Sequence, residues 1–235
     1  MIFLDCLHHS ETGTGQTMNI LHLNFSPRGQ AAESYRLARK IVDCLLTRAP
    51  DAVVLDRSFS EGGMPHVDAN YARSQHDVAA EIKEEGSVPR SEVLIRELED
   101  ADVVVIGTPM HNLSVPSALK AWIDHVVRAR RTFNVTSAGK VGLLSDRPVY
   151  IAIASGGVFS GERARQPDFL TPYLKVVLNT IGLKDLRFFS VEGTGHGAEA
   201  VKEARAQAER ALRQGLCCEM ASGIIRNVVG RSGGE

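Results

Sequence analysis

The chain of 235 residues is 43% hydrophobic and 23% charged, the composition of an ordinary globular protein with enough material for one sizeable core. Its 27 lysine and arginine residues nearly balance its 28 aspartate and glutamate residues, so no net field favours nucleic acid or an anionic membrane as a partner. No segment has the length of an apolar transmembrane helix, and a small-molecule partner is therefore expected.

The first residues, "MIFLDCLHHS", have no basic region, no sustained apolar stretch and no cleavage site of an export signal. We expect a disordered leader over 1–17, one domain over 18–214, a C-terminal tail over 215–235 and a cytoplasmic location. The four cysteines contain no C-x-x-C pair, which predicts thiols and no metal site. They are Cys6, Cys44, Cys217 and Cys218.

Apolar periodicity predicts five strands and five helices in alternation. The strands are expected over residues 20–25, 52–55, 102–107, 148–154 and 185–191. The helices are expected over residues 33–47, 91–100, 117–128, 169–181 and 198–212. Residues 58–77, which contain glycine and proline, are expected to form a long loop after the second strand.

Helices that alternate with strands, and middle strands that are apolar throughout, predict a parallel sheet covered on both faces. Five strands favour an α/β fold with a flavodoxin-like, doubly wound parallel sheet and helices on both faces. In such sheets ligands bind at the carboxyl ends of the strands, where the strand order reverses. The loops after the first and third strands are therefore the candidate binding loops.

The loop after the first strand, "NFSPRGQAAES", has the features of a phosphate site. Ser26 ends the strand, residues 27–29 form a turn and residues 32–34 begin a helix, so backbone N–H groups and two hydroxyls converge at a helix N-terminus. Hydrogen bonds to a charged group contribute about 1.5–3 kcal/mol each, so several donors could hold a phosphate without a lysine. From this loop alone, the simpler interpretation of Ser34 is that it caps the helix.

The loop after the third strand, residues 108–113, could hold the edge of a planar heterocycle. Met110 could pack on one ring face while backbone groups of His111 and Asn112 contact the polar rim. His111 could also donate a proton, although a lone loop histidine is more often only solvated.

A helix is expected to begin directly after this loop. Ser114 is expected to cap it, with Pro116 in its first turn. The helix carries an apolar stripe that contains Trp122, which we assign to the core rather than to a cofactor site.

The loop after the fourth strand contains Ser155, Gly156 and Gly157, which permit close backbone approach to a ligand. A Gly-Gly pair after a strand is usually only a turn. Its expected position at the same rim as the other two loops favours a role in binding.

Three further segments are weaker candidates. "TGTGQT" at 12–17 precedes the first strand, whereas nucleotide loops follow a strand. "EGTGHG" at 192–197 is interpreted as a flexible turn. "RARR" at 128–131 could attract a nicotinamide phosphate, but cations at a helix C-terminus are favourable by themselves. No G-x-S-x-G or H-E-x-x-H segment supports a serine hydrolase or a zinc enzyme.

Together, the three loops resemble those of the FMN-dependent NADH:quinone oxidoreductases and azoreductases of the flavodoxin-like superfamily. "TPMHNLSVPSALKAWIDHVVRARRTF" is similar to that family's T-P-M-Y-N-F-x-V-P-S-x-L-K-A-W-I-D segment. "SPRG" followed by Ser34 is similar to its phosphate loop, and "IAIASGG" to its T-S-R-G-G loop. "YLKVVLNTIGLKDLRFFSVEG" is similar to its Y-L-x-x-x-L-G-F-I-G-x-x-D-V stretch, which ends in A-E-G.

The resemblance implies a homodimer with FMN bound non-covalently at two interface sites. It implies that hydride passes from NADH or NADPH to the flavin and that a quinone or azo compound then accepts the electrons, a ping-pong mechanism in which the flavin carries the chemistry. By position, the phosphate would contact Ser26, Ala32, Glu33 and Ser34. The ring would contact Met110, His111, Asn112, Leu113, Ser155, Gly156 and Gly157.

The chain departs from the family pattern at five positions. A tyrosine, a phenylalanine, a serine and an arginine of the family are replaced by His111, Leu113, Ala32 and Ser155, each of which weakens an aromatic or polar contact. Arg130 stands where a glycine commonly ends the helix, so that terminus is expected to differ. The alternative function is a flavodoxin-like interaction or regulatory module with weak or lost FMN binding. The sequence leaves open the physiological acceptor and the choice between NADH and NADPH.

Overall fold

The computed structural model describes residues 17–60, 63–76 and 86–221, with the side chains of the last helix described to residue 216. Residues 1–16 of the predicted leader and residues 222–235 of the predicted tail lie outside these ranges. Cys44 is a thiol in the structure. The side chains of the other three cysteines lie outside the described part.

Within the described ranges, seven strands form one sheet and one separate hairpin. They are β1 (Asn19–Asn24), β2 (Val53–Ser58), β3 (Val103–Pro109), β4 (Phe133–Thr136), β5 (Gly139–Gly142), β6 (Val149–Ala154) and β7 (Leu186–Val191). Five strands pair in parallel in the order β2-β1-β3-β6-β7, and β4 pairs antiparallel with β5. The predicted five-stranded, doubly wound parallel sheet is confirmed.

The described part of the chain also contains six α-helices and one 3₁₀ helix, and the last helix follows the last strand. They are the 3₁₀ helix Gly29–Ala31, α1 (Glu33–Leu46), α2 (Ala69–His76), α3 (Ser87–Asp100), α4 (Ser117–Val126), α5 (Leu170–Thr180) and α6 (Ala198–Ala221). None of the helices within the described ranges is both long enough and apolar enough to cross a membrane.

The sheet separates two hydrophobic layers, because successive side chains of a strand point to opposite faces. In β3, Val103 and Val105 pack with α1 and α6, whereas Val104 and Ile106 pack with α3, α4 and α5. Helices therefore cover both faces, as predicted. Trp122 belongs to the second layer and is 1% exposed, which confirms its assignment to the core.

Helix α2 lies in the segment that was expected to be a long loop. The Asp68 carboxylate accepts hydrogen bonds from the backbone N–H groups of Tyr71 (2.9 Å) and Ser87 (2.7 Å), so it caps α2 and also joins it to the start of α3. An aspartate before a helix is a recognised start signal. Apolar periodicity alone missed α2 because the helix has only eight residues.

The β4–β5 hairpin was also not predicted. Its Val135 and Val141 are 73% and 49% exposed, so the hairpin has no buried alternating face that a sequence pattern could reveal. Gly142 lets it lie directly on the end of α5, since a Cβ at this position would be 2.2 Å from the backbone nitrogen of Gly182.

Helix α6 extends nine residues beyond its predicted end at residue 212. Ala208, Leu212 and Leu216 are all buried at four-residue spacing, so the apolar face that packs on the sheet continues past that point.

Two buried histidines make the fold sensitive to acid. His22 in β1 and His125 in α4 are both 0% exposed, and burial lowers the pKa of each below the ordinary value of 6.5. The His125 Nε2 lies 3.0 Å from the Pro65 carbonyl oxygen. The His22 Nδ1 lies 3.3 Å from the Asp56 carboxylate, which raises the His22 pKa, but the larger effect of burial lowers it. Both rings are therefore neutral at pH 7.

We expect the free energy of unfolding to fall as the pH falls from 6.5 towards the lowered pKa values, because in that window the unfolded chain binds protons that the folded chain does not. His22→Leu should reduce this loss. Urea unfolding of the wild-type protein and of His22→Leu at several pH values above and below 6.5 measures the dependence of the free energy of unfolding on pH. If the free energy of unfolding of His22→Leu fell with pH as steeply as that of the wild-type protein, His22 would not be the source of the acid sensitivity.

Candidate functional site

Three predicted binding loops lie side by side at the carboxyl edge of the sheet. They follow the neighbouring strands β1, β3 and β6. Backbone hydrogen bonds join their beginnings: Phe25 N–H donates to the Gly107 carbonyl (2.9 Å), and Met110 N–H donates to the Ala154 carbonyl (2.8 Å). The structure thus brings together segments that are more than 40 residues apart in sequence.

The loop after β1 is held in shape by its own hydrogen bonds. The Ser26 N–H donates to the Asn24 side-chain oxygen (3.2 Å), and the Ser26 hydroxyl accepts from the Arg28 N–H (3.3 Å). The Gly29 N–H donates to the Ser26 carbonyl (3.0 Å), which closes the turn. The loop is therefore preorganised in front of the N-terminus of α1.

Ser34 does not cap α1, contrary to the simpler interpretation of the sequence. The capping position is Ala32, which has an extended backbone, and no side chain caps the helix. Ser34 instead lies in the first turn, 0% exposed, and its hydroxyl has no hydrogen-bond partner among the described residues. A buried, unpaired hydroxyl is costly unless a ligand satisfies it. Uncapped backbone N–H groups beside it form a suitable anion site.

Close packing on β3 fixes the position of this first turn. A Cβ on Gly107 would lie 3.2 Å from the Ser34 carbonyl oxygen and 3.2 Å from the Ala38 Cβ. The absence of a side chain on Gly107 therefore lets α1 lie directly on the strand that carries the next binding loop.

Glu33 points its carboxylate away to α6. Both of its oxygens accept hydrogen bonds from the Arg205 guanidinium, from Nε at 2.7 Å and from Nη2 at 2.6 Å. These bonds lower the pKa of the Glu33 carboxyl. Arg205 was not identified from the sequence, because nothing in the pattern of α6 shows which residue faces α1. Its effect is to neutralise an acid that stands at a candidate phosphate site.

The loop after β3 forms a tight turn. The His111 and Ser114 backbones exchange two hydrogen bonds of 2.9 Å, and Asn112 and Leu113 between them have φ angles of 48° and 69°. Two successive positive φ values are the geometry of a type I′ turn, for which Asn-Gly is the preferred pair. Leu113 therefore holds a strained conformation, and such strain is concentrated at functional sites.

Ser114 has a different role from the predicted cap. It closes this turn, while Pro116 is the capping residue of α4 and no side chain caps that helix. The turn exposes the His111 side chain and buries Met110, which is 9% exposed. Both interpretations of His111, proton donor or solvated side chain, remain predictions.

We expect Leu113→Gly to be more stable than Leu113→Ala by about 1 kcal/mol, because glycine adopts a positive φ without the Cβ penalty. Both variants remove the same side-chain contacts beyond Cβ, so their difference reports the strain of the positive φ less the extra conformational entropy that glycine loses on folding. Urea unfolding of the two variants measures it. Equal stability of the two variants would contradict the strained backbone conformation at residue 113.

The loop after β6 is fastened to the loop after β7. The N–H groups of Gly193, Thr194 and Gly195 donate to the carbonyls of Gly157, Ser155 and Gly156 at 3.0–3.1 Å. The "EGTGHG" segment, interpreted from sequence as a flexible turn, is therefore a support for this loop. A Cβ built on Gly156 meets no atom within 4 Å, so the loop borders open space.

Gln166 connects two candidate ring-binding loops and was missed by the sequence reasoning. Its side-chain Nε2 donates to the Met110 sulfur and to the Ser155 hydroxyl, both at 3.1 Å. Ser155 is 3% exposed, so this contact fixes a buried hydroxyl. No sequence signal marks Gln166, because it lies in an irregular segment that folds back through an Arg165 N–H bond to the Val158 carbonyl (2.8 Å).

The "RARR" segment takes part in ion pairs with α3. Arg131 contacts Glu92 (3.0 Å) and Glu99 (2.5 Å), and Arg128 contacts Glu92 (3.3 Å). These partners account for two of the cations better than either a helix-end role or a nicotinamide phosphate.

Arg130 has a φ of 65°, the conformation that glycine favours. Its guanidinium donates to the Ser74 carbonyl oxygen at 2.6 Å. The arginine thus joins the segment after α4 to α2, which a glycine could not do.

Comparison with known proteins identifies the family. The model of the family described as "Flavodoxin-like fold" matches residues 18–216. FMN-dependent NADH:quinone oxidoreductase 4 of Pseudomonas fluorescens is 46% identical over 195 residues, which are 83% of this chain and 93% of that protein. FMN-dependent NADH:quinone oxidoreductase 5 of Burkholderia lata is 45% identical over 189 residues, which are 80% of this chain and 92% of that protein.

Solved structures agree on the fold. The azoreductase from Bacillus anthracis has a TM-score of 0.71 and 22% identity, covering 84% of this chain and all of that one. An FMN-dependent NADH-azoreductase from the same organism, solved in complex with FMN, has a TM-score of 0.68 and 23% identity, with 84% and 99% of the two chains covered. The chain therefore belongs to the flavodoxin-like family that includes the FMN-dependent NADH:quinone oxidoreductases.

Proposed function

We propose that the protein is an FMN-dependent oxidoreductase that transfers two electrons from NADH or NADPH to quinones or azo compounds. The observation that carries the proposal is the Ser34 hydroxyl, which is buried without a partner in the uncapped first turn of α1. A phosphate bound there would satisfy this hydroxyl. Relatives at 46% and 45% identity bear the name FMN-dependent NADH:quinone oxidoreductase, which supports the same activity.

The residues present fit the phosphate of FMN. Ser26 and Ser34 supply hydroxyls, and the first turn of α1 supplies backbone N–H groups from Glu33 and Ser34. Ala32, where the family often has serine, contributes only its backbone and the extended conformation that opens the turn. Arg205 removes the repulsion that the Glu33 carboxylate would otherwise exert on an anion.

The other two loops fit an isoalloxazine ring. Met110 offers a buried apolar surface, and the strained turn at His111, Asn112 and Leu113 presents backbone groups in fixed positions. Gly156 borders open space, since a Cβ at this position would meet no atom within 4 Å, whereas the Gln166 side chain lies against Gly157 and Ser155 is buried. Gln166 joins the loop after β3 to the loop after β6 and so preorganises the pocket.

When bound, FMN supplies the hydride chemistry that protein side chains lack. The chain's own task is to hold the phosphate, orient the ring and leave one face accessible to the donor and then to the acceptor. Because both would use the same face in turn, we propose a ping-pong mechanism. The residues named above bind and position, and no side chain is assigned a covalent role.

We further propose a homodimer and a cytoplasmic location. Phe169 is 58% exposed, and its backbone N–H donates to the Leu113 carbonyl (3.1 Å), so a large aromatic surface adjoins the ring loop. A second copy that covers Phe169 would bury this surface and close the site. Reduced nicotinamide nucleotides are supplied inside the cell, which supports the location. Light scattering during size-exclusion chromatography tests the dimer, and fractionation of cells tests the location.

Steady-state kinetics test the activity. NADH and NADPH would each be varied against a quinone and against an azo dye with the FMN-loaded protein. Parallel lines in double-reciprocal plots are expected. Intersecting lines would contradict the ping-pong mechanism, and the absence of NADH or NADPH oxidation with every acceptor would contradict the proposed function.

A further inference from the structure

We propose that a second polar cleft, beside the phosphate loop, binds the adenosine-side ribose phosphate of the nicotinamide donor. This inference rests on the proposed function, because it assigns part of that donor to a surface outside the candidate FMN site. The cleft has a volume of about 570 Å³ and lies between the loop after β1, the start of α1 and the end of β2. It is lined by Pro27–Gln30, Tyr35, Asp56, Ser58 and Ser60.

The cleft contains a cation suited to a diphosphate. Arg28 is exposed, and its guanidinium forms no hydrogen bond or ion pair within the described residues, although its charge contributes to lowering the pKa of the Glu33 carboxyl. An arginine presents several N–H donors in a planar fork that matches phosphate oxygens. Its backbone is fixed by the bond of its N–H to the Ser26 hydroxyl, so the side chain extends from an ordered turn.

The opposite wall carries groups that recognise a ribose. Asp56 is in β2, in register with His22 of β1, and its carboxylate lies 3.3 Å from His22 Nδ1 and 4.0 Å from the Arg39 guanidinium. A carboxylate can accept hydrogen bonds from ribose hydroxyls, as an acidic residue does in the Rossmann dinucleotide-binding fold.

Two hydroxyls complete this wall. The Ser58 and Ser60 oxygens are 3.0 Å apart, and the Asn24 side-chain amide donates to Ser58 at 3.2 Å. Asn24 is 0% exposed, so this hydrogen bond fixes the Ser58 hydroxyl from the buried side of the cleft. The Tyr35 side chain also lines the cleft, and its ring packs against the His22 ring with centroids 5.6 Å apart.

The position of the cleft suits the far end of a donor whose nicotinamide reaches the ring. The ring loops follow β3 and β6, and the cleft borders β1 and β2. Neighbouring strands are about 4.8 Å apart, so roughly 10 Å separate β2 from β3 along this edge. An extended dinucleotide is longer than this, and the phosphate loop lies between the two positions.

Asp56 favours NADH over NADPH, an effect that the Arg39 guanidinium at 4.0 Å reduces. Asp56 would accept hydrogen bonds from the ribose hydroxyls but repel the additional phosphate of NADPH, whereas Arg28 would bind the diphosphate common to both donors. Arg28→Ala should therefore weaken the binding of both donors. Asp56→Asn should change the ratio of their affinities.

The test uses ADP-ribose and its 2′-phosphate as probes of the FMN-loaded protein. Calorimetric titration measures their dissociation constants up to about 1 mM. We expect ADP-ribose to bind, to compete with NADH, and to bind about five- to tenfold more weakly to Arg28→Ala, a loss of about 1–1.4 kcal/mol. Asp56→Asn should reduce the preference for ADP-ribose over its 2′-phosphate by a similar factor. Arg90→Ala, which removes an exposed arginine of α3 outside the cleft, is the control and should change neither value.

No binding of ADP-ribose, binding that does not compete with NADH, or binding that is insensitive to both Arg28→Ala and Asp56→Asn would overturn the inference. Binding that competes only with free AMP and not with NADH would indicate a separate nucleotide site and would also overturn it. FMN content is measured independently by absorbance. If ADP-ribose does not bind but the FMN content is normal, only the inference about the cleft is refuted. If the protein does not bind FMN, the proposed function itself is refuted.

Discussion

Ser34→Ala is expected to weaken FMN binding roughly tenfold to a hundredfold while leaving the flavin-free protein at least as stable as before. A hydrogen bond to a charged group contributes about 1.5–3 kcal/mol, which is the expected loss of affinity. In the flavin-free state the hydroxyl is buried with no partner among the described residues, so its removal relieves a desolvation cost of about 1 kcal/mol or more. Affinity and stability should therefore change in opposite directions.

Ser91→Ala is the matched control. Ser91 is also helical and 0% exposed, but its hydroxyl donates to the His125 carbonyl at 2.6 Å. Its replacement should lower the free energy of unfolding by about 1 kcal/mol and leave FMN affinity unchanged. Flavin fluorescence titration and urea unfolding measure the two quantities. Equal FMN affinity of Ser34→Ala and the wild-type protein would place the phosphate elsewhere.

Arg205→Ala should weaken FMN binding by roughly five- to thirtyfold, although Arg205 belongs to a different helix from the phosphate loop. Without the guanidinium, the Glu33 carboxylate would stand unneutralised in the first turn of α1, where the phosphate is proposed to bind. Repulsion between two such charges in a partly buried site amounts to about 1–2 kcal/mol. Adding Glu33→Gln removes the charge, so the double variant Glu33→Gln, Arg205→Ala should recover most of the affinity.

Lys40→Ala provides the control for this charge effect. Lys40 of α1 pairs with Glu209 of α6, so its removal breaks another ion pair between the same two helices without exposing a carboxylate at the first turn. FMN affinity should stay unchanged. If Lys40→Ala weakened FMN as much as Arg205→Ala, or if Glu33→Gln gave no rescue, the effect would come from helix packing instead of charge.

The sheet and its helices were predictable because they depend on apolar periodicity. β3 reads as a continuous apolar run since both of its faces are buried, and α1 repeats apolar residues on one face. The hairpin β4–β5 was not predictable, because Val135 and Val141 face solvent. The predicted end of α6 came nine residues before the observed one, because small and polar residues separate its buried positions. These positions are Ala208, Leu212 and Leu216.

The candidate site was predictable as three loops but not in its details. Parallel topology places the carboxyl ends of β1, β3 and β6 at one edge, whichever side chains follow. By contrast, the contacts of Arg205 with Glu33 and of Gln166 with Met110 and Ser155 join distant segments that no local pattern relates. The exact place of Ser34 also depended on the turn before it, which moved the cap to Ala32.

The central claim is that three loops at one edge jointly hold a single FMN. Titration of FMN into flavin-free protein, followed by absorbance and by the quenching of flavin fluorescence, tests it most directly. We expect one FMN per chain, an absorbance that NADH or NADPH bleaches, and weaker binding in Ser34→Ala. Protein that stays colourless after addition of FMN would contradict the claim and would favour a flavodoxin-like interaction module instead.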